Sequence, residues 1–229
     1  YTTLFRSGNI EDAAISNQYF YYLDSEYNEV RVYDHQGLLK QIIGTQGEAP
    51  GEFSNVVSVT SRQDGTRLFV SDNFGYRIQV FRQMNTTYVL DHTFNMPGSF
   101  VSNDICFMNN HLYALGYDIN ETSGIIHKIT SEGKYITSFG EPYKSDNPLV
   151  RNLLSEEGRL ECDDQNNVLA YAPKHIPVLI GFSDNGIVLW RVKFADLELA
   201  PVEEGVTEKG QRSIIYRAPK SGRSEEHTS

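Results

Sequence analysis

Glu11, Asp12, Asp104, Asp163 and Asp164 have the strongest claim to chemistry in this chain. Each lies in or just after a short alternating apolar segment. Carboxylate oxygens are the ligands a hard cation such as Ca2+ takes, so acids brought together from several segments would make a cation site. The competing expectation is plainer. Asp in a turn bonds its own backbone and stays in solvent, and the chain has no D-x-D-x-D-G loop. Asp72 and Arg77 form a second suggestive pair. An Asp-led turn with an Arg five residues on can clamp one loop by itself, so a structural role is expected. Asp24 supports this, because it heads the matching turn in a unit without the Tyr76-Arg77-Ile78 run. No catalytic residue is predicted, and Asp12, Asp104, Asp163 and Asp164 remain as candidate binding positions.

The other reactive side chains are scattered. His35, His92, His111, His127, His175 and His227 show no H-x-H or HExxH spacing, so no metal centre is expected from them. Cys106 and Cys162 form no CxxC pair. Both fall in innermost strands of neighbouring units. A disulfide needs Cα atoms within about 7 Å, so two separate buried thiols are expected. There is no G-x-S-x-G elbow and no phosphate-cradling glycine loop. Tyr19–Tyr22 (YFYY) could offer a stacking platform for a sugar or peptide, but alternation buries half of it.

The elements that must position these residues repeat. YYLDSEYNEVRVY (21–33), moved by 48 residues, lands on FVSDNFGYRIQVF (69–81). Asp24 then meets Asp72, Val30 meets Ile78, and Val32 meets Val80. Each copy reads as strand, Asp-led turn and strand, and an all-β repeat of this length is the signature of a propeller blade. Unit one spans Asn9–Ile43. Unit two follows the Gly-rich crossing Gly44–Phe53 and reads Val56–Thr60, Arg67–Ser71, Tyr76–Phe81 and Tyr88–Phe94. Unit three reads Ser102–Phe107, His111–Gly116, Ile125–Thr130 and Tyr135–Phe139. Unit four reads Arg159–Cys162, Val168–Ala172, Val178–Phe182 and Ile187–Val192. Gly37, Gly133 and Gly186 mark the turn before each outer strand, where a positive φ is needed. A polar insertion, Glu141–Pro148, precedes unit four, with one short helical candidate at Leu149–Glu156. After Asp196 a charged connector (Glu198–Gln211) leads to Arg212–Arg217, which reads as the first strand of a fifth unit.

The chain carries a formal net charge of −10 over 229 residues, with an isoelectric point near 5.0. No Lys/Arg cluster offers the basic face that phosphate neutralisation requires, so no nucleic-acid partner is expected. No apolar run is long enough for a transmembrane helix.

The segment Gly44–Phe81 resembles an NHL repeat. The elements that carry the likeness are Gly51–Phe53, the apolar strand Val56–Val59, the Asp-ended strand Leu68–Asp72, and Arg77-Ile78-Gln79-Val80-Phe81. The match is good over unit two, partial over unit one, and limited to spacing beyond. Ser54 and Asn55 stand where the family has Pro, and Phe74 and Tyr76 replace small or polar residues. The arrangement is also similar to six-bladed propeller proteins of Bacteroidetes, many of them exported. This resemblance implies an all-β propeller of four-stranded antiparallel blades, with about four of six blades present. It also implies an extracytoplasmic location, and a non-catalytic role in binding a protein, peptide or glycan through rim loops or the channel mouth. The alternative it implies is a lactonase- or lyase-like enzyme with a divalent cation, Ca2+, in the channel. Residues 1–222 are expected to form a single, incomplete propeller domain. The last seven residues, 223–229 (RSEEHTS), resemble a translated sequencing adapter and are expected to be non-native. Without them the charge is −9.

Overall fold

The computed structural model describes residues 8–73, 76–96, 101–116 and 124–194, together with the backbone of strands 202–206 and 212–216. Within these, four antiparallel four-stranded sheets follow one another, each in simple meander order. Blade one is β1 (Ile10–Ile15), β2 (Tyr19–Asp24), β3 (Glu29–Asp34) and β4 (Leu39–Ile43). Blade two is β5 (Val56–Ser61), β6 (Arg67–Asp72), β7 (Arg77–Met84) and β8 (Thr87–Asn95). Blade three is β9 (Asp104–Met108), β10 (His111–Leu115), β11 (Ile126–Thr130) and β12 (Tyr135–Phe139). Helix α1 (Pro148–Glu156) follows, capped by the Asn147 side chain, which accepts from the Leu149 and Val150 amides. Blade four is β13 (Gly158–Asp163), β14 (Val168–Pro173), β15 (Val178–Phe182) and β16 (Val188–Lys193). The four sheets are the blades of a β-propeller.

Alternation fixes which side chains each blade turns to its neighbour. Tyr21 pairs with Val32 and Leu23 with Val30, and all four are buried. They pack on Leu68, Val70 and Phe81 of blade two. Phe69, Ile78 and Val80 point the other way, towards Phe107, Leu112 and Ile129 of blade three. The Phe69 and Phe107 rings stack with centroids 4.9 Å apart. Tyr113, Leu115 and Ile126 of blade three then meet Leu160, Leu169 and Phe182 of blade four. A central blade is therefore apolar on both faces, so its second strand carries a continuous apolar run, Leu68-Phe69-Val70 in β6 and Leu112-Tyr113-Ala114-Leu115 in β10.

The turn glycines serve that packing. Gly133 has φ +87°, and a Cβ there would lie 2.4 Å from the Phe94 ring of the preceding blade. Gly186, φ +79°, stands in the same relation to Phe139. Gly37 is also left-handed, at φ +78°. Blade two carries Asn85, φ 58°, at the position 48 residues after Gly37.

The innermost strands β1, β5, β9 and β13 stand side by side around a channel. The first and fourth blades keep one open face each. Phe20, Leu39 and Ile42 are exposed on blade one, and Val188, Leu189, Trp190 and Val192 on blade four.

Two expectations are corrected here. Cys106 on β9 and Cys162 on β13 form a disulfide, with Cα atoms 5.6 Å apart. The inner strands converge at the channel, where neighbouring blades come closer than blade spacing suggests. The first strand after blade four is not Arg212–Arg217. Strand β17 (Val202–Val206) lies inside the segment read as a connector and pairs with β18 (Arg212–Tyr216). The V-E-E-G-V sequence of β17 has too little apolar alternation to announce a strand. The NHL position Phe74 and the tail 223–229, with His227, lie outside the described residues.

Candidate functional site

The inner strands place one residue of each blade in register: Asp12, Ser58, Asp104 and Arg159. The first three reach forward by the same device. Asp12 Oδ2 accepts from the Val59 amide at 2.8 Å. Ser58 Oγ accepts from the Ile105 amide at 3.1 Å. Asp104 Oδ2 accepts from the Leu160 amide at 2.6 Å. Each side chain thus satisfies a backbone donor of the next blade's innermost strand, a donor that no further strand is there to pair.

Arg159, fourth in the series, turns back instead. Its Nη1 lies 3.8 Å from Asp12 Oδ1 and 3.7 Å from Asp104 Oδ1, and its Nη2 donates to the Glu11 carbonyl at 3.0 Å. One guanidinium therefore links the first, third and fourth blades across the channel.

Ser58 sits between the two acids, with Oγ 2.8 Å from Asp12 Oδ2 and 2.6 Å from Asp104 Oδ1. Its hydroxyl has one proton to donate, so a proton on a carboxyl is what completes the set. Asp104 is the group placed to carry it. Burial, and then the Asp12 charge, push its carboxyl up to about 7, against the bonds from Ser58 and Leu160 and the charge of Arg159.

These contacts bear on the cation that the resemblance implies. The oxygens of Asp12 and Asp104 are occupied by Ser58, Val59, Ile105 and Leu160, and the charge beside them is already a guanidinium. Among the described residues no three His, Cys, Asp or Glu side chains are grouped to hold a metal. This donor set does not fit Ca2+, which takes six to eight open oxygen ligands.

The other predicted acids are elsewhere. Asp163 and Asp164 lie at the far end of β13, away from Asp12 and Asp104. Asp163 caps its own turn, accepting from the Gln165 and Asn166 amides at 2.9 and 3.1 Å. Asp164 accepts from the Asn109 amide at 2.7 Å. The channel between the two ends has a volume of about 910 Å³ and is lined by all four inner strands and by Phe20. Phe20 is the exposed member of the YFYY run, whereas Tyr21 is buried and its hydroxyl meets that of Tyr88 at 2.6 Å.

The Asp72 turn lies outside the channel. Its buried carboxylate accepts from the Asn55 amide at 2.8 Å and the Ser54 amide at 3.2 Å, and from Arg77 Nη2 at 2.9 Å. Arg77 also donates to the Glu48 and Glu52 carbonyls. Asp24 accepts more weakly, from Glu26 and Tyr27, with Arg31 at 3.6 Å. Sequence reasoning missed Ser58 and Arg159. The signal was there in the spacing, since Asp12, Ser58 and Asp104 are each 46 residues apart.

No protein-family model matches this chain, and no curated protein matches it. Solved structures do. A Bacteroides fragilis protein named as exported superposes with a TM-score of 0.59 at 11% identity, over 79% of this chain and 49% of that one. Hydrazine synthase of Kuenenia stuttgartiensis gives 0.55 at 10% identity, over 96% and 60%. The β-propeller domain of Myceliophthora thermophila Cps50 (Swd1) gives 0.54 at 10%, over 95% and 65%. The chain spans less than two thirds of each of these. At such identities the likeness establishes the fold: this chain is a β-propeller.

Proposed function

We propose that this chain is a non-catalytic binding module of the NHL-like kind, which takes a protein, peptide or glycan at its channel mouth. The observation that carries this reading is the mutual pairing of the four inner-ladder residues, beside which Glu161 also lines the channel. Asp12, Ser58, Asp104 and Arg159 satisfy one another and the neighbouring backbone, so none is left as a free base, nucleophile or cation ligand. The set stiffens the inner strands and leaves recognition to what surrounds it. The net charge of −10 weighs against nucleic acid as the partner.

Two features support the finer parts of the reading. The disulfide between β9 and β13 suits an oxidising, extracytoplasmic compartment. The open apolar faces of blades one and four suit a ring of more than four blades, as does β17, which begins 44 residues after β13. Six blades, as in the proteins the sequence resembles, would cover both faces.

The test is amide NMR of the labelled chain against libraries of short peptides and oligosaccharides. Binding shifts are expected to cluster at residues lining the channel and its mouths. Shifts confined to the outer strands would overturn the proposal. Calcium is expected to leave the melting temperature unchanged. A rise on adding calcium alone would favour the cation-bearing enzyme instead.

A further inference from the structure

The far mouth of the channel repeats its chemistry blade by blade. Five residues beyond Asp12, Ser58, Asp104 and Arg159 stand Asn17, Gln63, Asn109 and Asp164. All four line a single hollow of about 390 Å³, with Asn110 and the largely buried Phe107 beside them. The cross-blade bonds hold their backbones in place. The Asn17 amide donates to the Gln63 carbonyl at 2.8 Å, and the Asn109 amide donates to Asp164. The side chains of Asn17, Gln63, Asn109, Asn110 and Asp164 are all exposed. Among the described residues, no hydrogen bond holds the carboxamides of Asn17, Gln63 or Asn110.

Turn preference alone explains an Asn or Asp at one such position. It does not require a side-chain carbonyl at the same register in four successive blades, all around one opening. Each free carboxamide offers two donors and two acceptor lone pairs. The one cation at the hollow, Arg62, is paired with Asp64 at 3.3 Å. Anionic ligands therefore meet Asp164 and Asp64 with no spare positive charge. Asp164 keeps one carboxylate oxygen open beside its bond from the Asn109 amide, as an acceptor for ligand hydroxyls. What remains is three carboxamides without a partner and one exposed carboxylate around a hollow that opens into a wider channel.

We propose that this mouth is a binding site for a neutral polyhydroxylated ligand, a carbohydrate chain end. The proposal rests on the reading of the chain as a channel-mouth binding module and narrows it to one ligand class. Sugar hydroxyls pair with carboxamides in both directions and donate to a carboxylate such as Asp164. The hollow falls within the size range of small-ligand sites, about 300 to 1,000 Å³.

The test uses the full chain on an array of neutral, sulfated and sialylated oligosaccharides, followed by calorimetry with the strongest neutral binder. The comparison is Asn17→Ala/Gln63→Ala, whose replaced side chains hold nothing in the fold. Binding of neutral chains is expected, weakened by about tenfold or more in the double variant, as the loss of two hydrogen bonds implies, with an unchanged melting curve. Side-chain amide signals of Asn17 and Gln63 should shift when the sugar is added. No neutral oligosaccharide bound, or equal affinity in the double variant, would overturn the proposal. If peptides rather than sugars shift the mouth residues, the ligand class is wrong and the binding-module reading stands. If neither shifts any channel residue, both fall.

Discussion

At the scale of single residues, the repeat lets one blade be judged against another. Tyr76 and Asn28 hold the same place in the β6–β7 and β2–β3 turns, 48 residues apart, and both are left-handed, at φ 46° and 49°. Asn tolerates that region and Tyr does not. Tyr76→Asn is therefore expected to stabilise the chain by about 0.5 to 1 kcal/mol, the scale of such backbone relief, in urea unfolding. A loss of stability would mean that the Tyr76 ring contributes more than its backbone costs. The same comparison explains Ser54 and Asn55, where the resemblance leads one to expect Pro. Both amides donate to Asp72, and Pro would remove a donor at its position.

Asp104 carries a pH dependence whose sign follows from its raised carboxyl. The folded state holds the proton up to about pH 7, whereas the ordinary value is 3.8. Between those two values the folded chain binds more protons than the unfolded one, so stability falls as pH rises through this window and levels off above it. Asp104→Asn imitates the protonated acid, with an oxygen for the Leu160 amide and a donor for Ser58. The variant should lose less stability than the parent chain between pH 5 and 8, measured by chemical denaturation. Parallel pH profiles would show that the proton resides elsewhere.

At the scale of strands and blades, much was legible in the sequence and some was not. The strands β12 and β15 were readable to the residue, because recognisable turns bound each of them. The helix was readable from Leu149 onward. Strand β17 was not, since acids fill its middle and its partner β18 supplies the order. The inner ladder was hidden for another reason. Ser58 and Arg159 differ in chemistry from Asp12 and Asp104, so the shared register is visible only once the strands stand together. The disulfide was hidden because sequence spacing says nothing of how far inner strands converge.

That bridge closes a loop with a sequence separation of 56 residues between adjacent blades. By loop-closure entropy it is worth about 4 kcal/mol, an upper figure if the unfolded chain keeps structure. Reduction, or Cys106→Ser/Cys162→Ser, is expected to lower the melting temperature and to loosen blade four first. The check is hydrogen exchange of β13 and β14 amides with and without reductant. Equal protection in both states would show that blade packing alone holds the pair together.

At the scale of the whole molecule, the two open faces dominate. Blade four ends in β16, whose residues are exposed along its whole length and include Val188, Leu189, Trp190 and Val192. Exposed apolar strands at a sheet edge invite pairing with other chains. The 229-residue chain is expected to associate with rising concentration, and Val188→Lys/Val192→Lys to reduce that association. Sedimentation velocity across a hundredfold concentration range reads this directly. A monomer throughout would mean that segments outside the described residues already cover these faces.

The forward-reaching ladder of Asp12, Ser58 and Asp104 also bears on how such a molecule can grow. Each of the first three units lends an acceptor to its successor, and the second and third also offer an amide to their predecessor. An in-frame copy of one unit would bring both halves of the joint with it, and no other unit would need to change. Gene duplication could thus lengthen the series one blade at a time. The series changes at the fourth blade, where Arg159 reaches back across the channel rather than forward.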